Sequence, residues 1–287
     1  MDVGESHHDP AQQDPLRLRL RGRIGEVRAL LRDIDARHDA AALIAELENL
    51  AALARGRSDL RLELRQLLIL MGMVECKRGD STRARSLLID GLAMDAGPSA
   101  DRTEVALDHY FLASVASDLK SFQTAAEHYG KAVEYAAVAG NFDVTRQLGI
   151  RERHAFALHE AGRFRDACEA NQRLLEDAET LLGADDHRLG TVVHNLAQNL
   201  YALKRLPEAQ SHLERALGMA HARGEIEREQ DLLYQLAVLA GEQGKLEAAR
   251  AYLAERVARL AGQGPSRLQE AARRSLEHFD RHRAPQA

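Results

Sequence analysis

Residues Thr191 to His221 read TVVHNLAQNLYALKRLPEAQSHLERALGMAH, and this stretch decides the fold. Val193, Leu196, Ala197 and Leu200 recur at helical spacing in its first half. A short break, Lys204-Arg205-Leu206-Pro207, follows, and a second helical stripe resumes at Ala209, Leu213, Ala216 and Leu217. Pro207 fits the first turn of the second helix, where its missing N–H has no partner to lose. The unit is two antiparallel helices joined by a tight turn. One such hairpin cannot bury its own apolar face, so it needs copies of itself on either side.

The copies are present. The small residue opening each second helix recurs as Ala84, Ala125, Ala167, Ala209 and Ala249, at intervals of 41, 42, 42 and 40 residues. Twelve residues before each, in mid first helix, stand Gly72, Ala113, Ala155, Ala197 and Ala237. The residue preceding these is large: Met71, Leu112, His154, Leu196 and Leu236. The turn carries Gly79, Gly162 and Gly244, or Lys120 and Lys204 at the same place. Two positions on come Phe122, Phe164, Leu206 and Leu246, with Ser81 the exception. Paired helices approach closely only where both supply a small side chain, which gives the pattern its physical reason.

Over residues 60 to 261 these small-residue, turn-glycine and aromatic positions resemble those of the tetratricopeptide repeat. The period exceeds that family's usual ~34 residues, and lengthened second helices such as Glu169 to Leu182 account for the excess. The connector LLGADDHRLGTVVHNLA is similar to that of the long, kinesin-light-chain type of repeat. The chain departs from the pattern in lacking Trp and in placing His154 where a Leu is usual. The expected fold is all-α, a right-handed α-solenoid of antiparallel helix pairs forming a tetratricopeptide-like superhelix.

The composition suits such a protein. Its 39 basic and 44 acidic residues leave a formal net charge of −5. That balance argues against general attraction to nucleic acid or membrane. Only two cysteines, Cys76 and Cys168, occur, which suggests no disulfide framework and points to a reducing, cytoplasmic setting. MDVGESHHDP is acidic and polar, unlike a signal or transit peptide. No apolar run approaches the ~18 residues of a membrane span.

Taken in order, residues 1–15 are expected to form a disordered tail, 16–58 a degenerate helical hairpin, 59–264 five repeats and 265–283 a capping helix. The run Leu16-Arg17-Leu18-Arg19-Leu20-Arg21 alternates with period two, yet a lone strand would have no partner. It reads as the approach to a helix that settles after Gly25, with a second helix over 40–55 and Ala42 in register with Ala84. Asp101, Asp143 and Asp186 stand where N-caps are wanted. The loops Ala96-Gly97-Pro98-Ser99 and Gly140-Asn141, and Gly262-Gln263-Gly264-Pro265-Ser266, break the helices. Leu268, Ala272, Leu276 and Phe279 form the apolar stripe of the last helix.

No catalytic motif is present: there is no phosphate loop, His-Glu-x-x-His or Cys-x-x-Cys. His159-Glu160-Ala161-Gly162-Arg163 lacks the second His of a zinc helix, and its Gly belongs to the repeat turn. The trio His7, His8 and Asp9 reads as tail, His187 as part of a helix start, and His154 as a core histidine. No metal or other cofactor is expected. Cys76 and Cys168 read as small packing residues on helices. Arg267, Arg273, Arg274, Arg281 and Arg283 give the last helix a basic, solvated side.

In the family that the chain resembles, the first helix of each pair lines a concave groove where ligands bind. Three groove rows follow from the small mid-helix residue. They are Ile69, Tyr110, Glu152, His194 and Tyr234; Met73, Ser114, Phe156, Gln198 and Val238; and Cys76, Ser117, His159, Tyr201 and Gly241. Tyr110, Phe156, Tyr201 and Tyr234 are four of the chain's six Tyr and six Phe. Aromatic bodies with polar tips suit a peptide or partner protein, although the same side chains could pack between repeats. The Lys, Arg and Asn set with which chaperone-binding relatives clamp a terminal carboxylate is missing. The expected function is a non-catalytic adaptor holding a protein or peptide partner. The alternative is a ligand-responsive regulator of a separate output protein.

Overall fold

A computed structural model describes residues 14–33, 40–94, 101–140, 142–261 and 266–282. All regular secondary structure among the described residues is helical, with no strand. The chain opens with α1 (Pro15–Asp33) and α2 (Ala40–Ala54). After a 3-10 turn at Ser58–Leu60 come α3 (Arg61–Arg78), α4 (Ser81–Leu92), α5 (Arg102–Asp118) and α6 (Phe122–Val138). Next are α7 (Val144–Glu160) and α8 (Phe164–Leu182), then a second 3-10 turn at His187–Leu189. The remainder is α9 (Gly190–Ala202), α10 (Leu206–Arg223), α11 (Ile226–Glu242), α12 (Leu246–Ala258) and α13 (Arg267–Arg281). Two compact units divide the chain, Met1–Ile150 and Arg151–Ala287, with the boundary inside α7.

The repeat register holds residue by residue. Ala84, Ala125, Ala167, Ala209 and Ala249 are all fully buried. Gly72, Ala113, Ala155, Ala197 and Ala237, one in each first helix, are buried as well. At Gly72 the reason is directly visible, because a Cβ there would stand 2.6 Å from Leu88 Cγ and 3.1 Å from the Ala84 carbonyl oxygen. α3 and α4 can therefore touch only through a residue with no side chain. α4 returns the arrangement at Gly91, where a Cβ would lie 2.8 Å from Ile69 Cγ1.

The five intra-repeat turns share one backbone. Gly79, Lys120, Gly162, Lys204 and Gly244 all adopt left-handed conformations, with φ of 88°, 56°, 75°, 60° and 73°. In each, this residue donates its N–H three residues back and the next residue donates five back, as in Lys120 to Ser117 (2.9 Å) and Ser121 to Ala116 (2.7 Å). That is the Schellman close of an α-helix. Glycine reaches this conformation without steric cost, whereas a lysine does so against its Cβ. Lys120→Gly and Lys204→Gly should therefore each raise stability by about 0.5–1 kcal/mol, and Gly162→Ala should lower it by a similar amount. Urea unfolding checks the signs; a destabilised Lys204→Gly would contradict this reading of the turn.

Asp101, Asp143 and Asp186 cap their helices as expected, accepting from the backbone N–H of Thr103, Arg146 and Arg188 at 2.9, 2.8 and 2.9 Å. Ser266 does the same for Gln269 at 3.2 Å, opening α13. Ala272 of α13 is fully buried, while Leu268, Leu276 and Phe279 are half-buried. Residues 1–13 of the expected tail, the loop 96–99, Asn141 and residues 262–265 lie outside the described residues.

The first hairpin departs from expectation in two places. α1 starts at Pro15, well before Gly25, and includes the whole Leu–Arg alternation. Its buried stripe is Arg17, Leu20, Ile24 and Val27, so one arginine of the alternating run takes a core position while Leu18 is exposed. Arg17 is tolerated there because buried Glu63 of α3 lies 3.4 Å from it, and Arg21 also reaches Glu63 at 2.8 Å. The second departure is Ala42, which is exposed; Leu43 holds the buried place three residues into α2.

Within each unit, polar pairs tie neighbouring helix pairs together. In the first unit buried Arg65 of α3 meets buried Asp108 of α5 at 2.7 Å. Arg28 of α1 pairs with Glu104 of α5, which also accepts from Gln66 of α3 at 3.1 Å. In the second unit Arg215 of α10 pairs with Glu179 of α8 at 2.6 Å, and Arg250 of α12 with Asp280 of α13 at 2.8 Å.

Candidate functional site

The second unit presents the first helices α7 (from Arg151), α9 and α11. Each buries the side that carries its small mid-helix residue, and the opposite stripe faces out. On α11 the buried set is Glu229, Gln230, Leu232, Leu233, Leu236, Ala237, Leu239 and Ala240. Glu227, Asp231, Tyr234, Val238 and Glu242 are exposed, one continuous helical stripe. On α7 the exposed stripe includes Arg153, Phe156 and Glu160. Phe156, Tyr234 and Val238 retain 46%, 47% and 40% of their surface. These are large side chains left in water at positions where a core residue would be hidden, and they are the expected groove positions.

The polar members of the expected rows are held by neighbouring repeats. His159 of α7 is 2.6 Å from Asn199 of α9 through Nδ1 and packs edge-on against Phe164. His194 Nε2 lies 2.9 Å from Gln235 Oε1 of α11, and Gln198 lies 3.4 Å from the same nitrogen. The Tyr201 hydroxyl donates to Glu242, which Lys204 also reaches at 3.0 Å, with the Lys204 ammonium 5.1 Å over the Tyr201 ring. Burial lowers the His194 pKa, so this ring is neutral at physiological pH. Burial raises the Glu152 carboxyl, against the pull of Arg153 and Arg228. His159, His194 and Tyr201 thus act as rungs between first helices.

The first unit places its equivalents differently. Ile69 is buried, with its Cγ1 close to the backbone of Gly91, and so leaves the groove set. Tyr110 is half-buried and meets Tyr129 and Phe111 edge-on, each with ring centroids 5.6 Å apart. Met73, Ser114, Cys76 and Ser117 are half-buried. Burial pushes both the Cys76 and Cys168 thiols up, away from the thiolate form that a nucleophile needs. His154 is half-buried, and burial lowers its pKa.

Arg256 was not among the expected residues. It occupies a core position of α12 after Ala249 and Leu253, and its guanidinium lies 5.3 Å over the Tyr234 ring and 3.3 Å from Ser275 of α13. A charged residue continuing an apolar stripe was the available signal. An open depression is lined by Thr191 and His194 of α9 and by Glu225 to Arg228 and Asp231 around the start of α11. Among the described residues no cluster of three or more His, Cys, Asp or Glu could hold a metal, and no helix is long and apolar enough to cross a membrane.

Comparison with known proteins bears on the fold. No curated protein sequence matches the chain. A putative kinesin light chain of Podosopora anserina, with nearly identical TPR-like repeats, superposes on 74% of this chain and 99% of its own (TM-score 0.57, 17% identity). BtubC (BKLC) from P. vanneervenii covers 82% of this chain and 95% of its own (TM-score 0.58, 21% identity). The apo form of RapI covers 96% and 87% (TM-score 0.59, 13% identity). Residues 147–222, from α7 through α10, match the tetratricopeptide repeat family model. That match covers about a quarter of the chain, and the likeness to these structures shows that the helix pairs on either side of it share the tetratricopeptide-like fold.

Proposed function

We propose that the chain is a non-catalytic adaptor that holds a protein or peptide partner on the first-helix face of its second unit. The observation that carries this reading is the exposure of Phe156, Tyr234 and Val238 on helices whose other faces are well packed. Large apolar side chains grouped on one face are characteristic of interaction surfaces. The TPR-like fold supports it, being the architecture of interaction scaffolds. Glu152, His194 and Gln198 contribute half-exposed polar groups at fixed positions, so they set orientation, and Tyr201 and His159 hold the surface rigid from beneath. Tyr110 and Ser114 offer the corresponding positions of the first unit. A cytoplasmic setting fits the two free thiols.

The test uses substitutions at exposed positions. Phe156→Ala with Tyr234→Ala should weaken capture of the native partner by about 2 kcal/mol or more, because truncating a central anchor costs that much. The melting temperature should stay within a few degrees of the parent's. Lys131→Ala with Glu134→Ala, on the exposed side of α6, should change neither. Loss of capture in the α6 variant together with full capture by the Phe156/Tyr234 variant would overturn the assignment.

A further inference from the structure

The inner stripe of α11 is not neutral. Tyr234 and Val238 are followed toward the helix start by Asp231 and Glu227, both exposed on the same side. Neither carboxylate has an ion-pair or hydrogen-bond partner among the described residues, whereas most acidic residues of the second unit do. Of the nearby basic groups one, Arg228, shares their depression, and the others are withdrawn or spent. Arg256 is buried beneath Tyr234, Lys204 is paired with Glu242, and half-buried Arg228 lies 3.9 Å from Glu225. An approaching molecule therefore meets an apolar pair, Tyr234 and Val238, continuous with two carboxylates that no direct ion pair neutralises, although Asp231 acts through space on buried Arg256 and on His194.

Resting on the inner-face reading above, we infer that the partner segment is a cationic amphipathic helix that lies along α11. Helix against helix matches the surface, since residues three and four apart form one ridge on each. Apolar side chains of the partner cover Tyr234 and Val238, and Lys or Arg one turn further along meet Asp231 and Glu227. The depression beside Asp231 and Glu227, with exposed Ile226 in its wall, receives the methylene stem of such a side chain. Opposite charge across the rim selects the partner and its direction more than it adds raw affinity.

Two synthetic helical peptides test this, with the same leucine face and with either lysine or glutamate on the flanks. Fluorescence anisotropy with the full chain, at two salt concentrations, reads the affinity. The lysine peptide should bind roughly tenfold or more tightly than the glutamate peptide, with a preference that shrinks at high salt. Glu227→Lys with Asp231→Lys should invert that preference. Tyr234→Ala with Val238→Ala should weaken the lysine peptide without inverting it. Equal binding of both peptides, no binding of either, or an unchanged preference in the charge-reversed variant would overturn the cationic-helix assignment. If the Tyr234/Val238 variant alone still loses the native partner, the inner-face reading survives that failure. If that variant binds everything as the parent does, the inner face itself is excluded.

Discussion

Arg65→Met should cost the first unit about 3–5 kcal/mol at neutral pH, the expected penalty for removing one partner of a buried ion pair. Arg65 and Asp108 retain 3% and 5% of their side-chain surface, so the orphaned carboxylate cannot turn to water. The pair joins the first helices α3 and α5, and the loss should appear as early unfolding of the region around them. Burial already raises the Asp108 carboxyl to about 6, against the pull of Arg65. In the variant the group rises further, so the penalty shrinks as acid neutralises it. The double variant Arg65→Met with Asp108→Leu should return to within about 1 kcal/mol of the parent, because an apolar pair of similar volume replaces the charges. Urea titrations of the parent and the two variants at pH 7 and pH 5 decide this. A single variant as stable as the parent would show that the pair is solvated.

The second large effect is acid sensitivity at His109. Its Nδ1 stands 3.0 Å from Nδ1 of His128, between α5 and α6, and its ring stacks on Tyr135 with centroids 5.7 Å apart. In the neutral pair one of the facing nitrogens donates and the other accepts, so a proton added there puts an N–H on both and charges a buried ring. Burial, the facing His128, Lys131 of α6 and Arg65 of α3 together lower the His109 pKa to about 4. A histidine whose folded pKa is lowered contributes stability that is complete above its unfolded value of ~6.5. That contribution is lost as pH falls from there toward 4. The loss should reach about 2–3 kcal/mol. Asp108 works in the opposite sense, since a raised carboxyl gains stability as pH falls through 6, so the parent's own pH curve mixes the two. Comparison with His109→Phe isolates the histidine. The parent's advantage over that variant should shrink by about 2–3 kcal/mol between pH 7 and pH 4. An advantage independent of pH would mean that the pair is not buried in the folded state.

Much of the fold is legible in the residues because its rule is local and repeated. A small residue is required wherever two helices touch, and Gly72 shows how strict that is, with Leu88 already at the place a Cβ would take. The turns could be aligned from Gly79, Gly162 and Gly244, although nothing local says that Lys120 and Lys204 adopt the same left-handed backbone. The first hairpin was harder. Its Leu–Arg alternation hides a helical stripe in which Arg17 is a core residue, and the acid that allows this, Glu63, stands far along the chain.

For the expected groove rows, the sequence tells which side chains are exposed only in part. Counting from the small residue finds Phe156, Tyr234 and Val238, which are exposed. The same count includes His159, His194 and Tyr201, whose polar atoms are taken up by Asn199, Gln235 and Glu242 one repeat on. It also includes Ile69, which is buried. A repeat register gives a direction for each side chain and says nothing of what the next repeat places opposite. Arg256 escaped for the converse reason: it belongs to a second helix, yet it reaches the ring of Tyr234 on the first.

The most direct test of the inner-face account is site-specific photo-crosslinking in intact cells. Benzoylphenylalanine in place of Val238, on the exposed stripe of α11, is compared with the same probe in place of Leu181, exposed on α8. The account predicts one discrete adduct from position 238, lost when Tyr234→Ala is added, and none from position 181. A discrete adduct from position 181 with nothing from position 238 would contradict it.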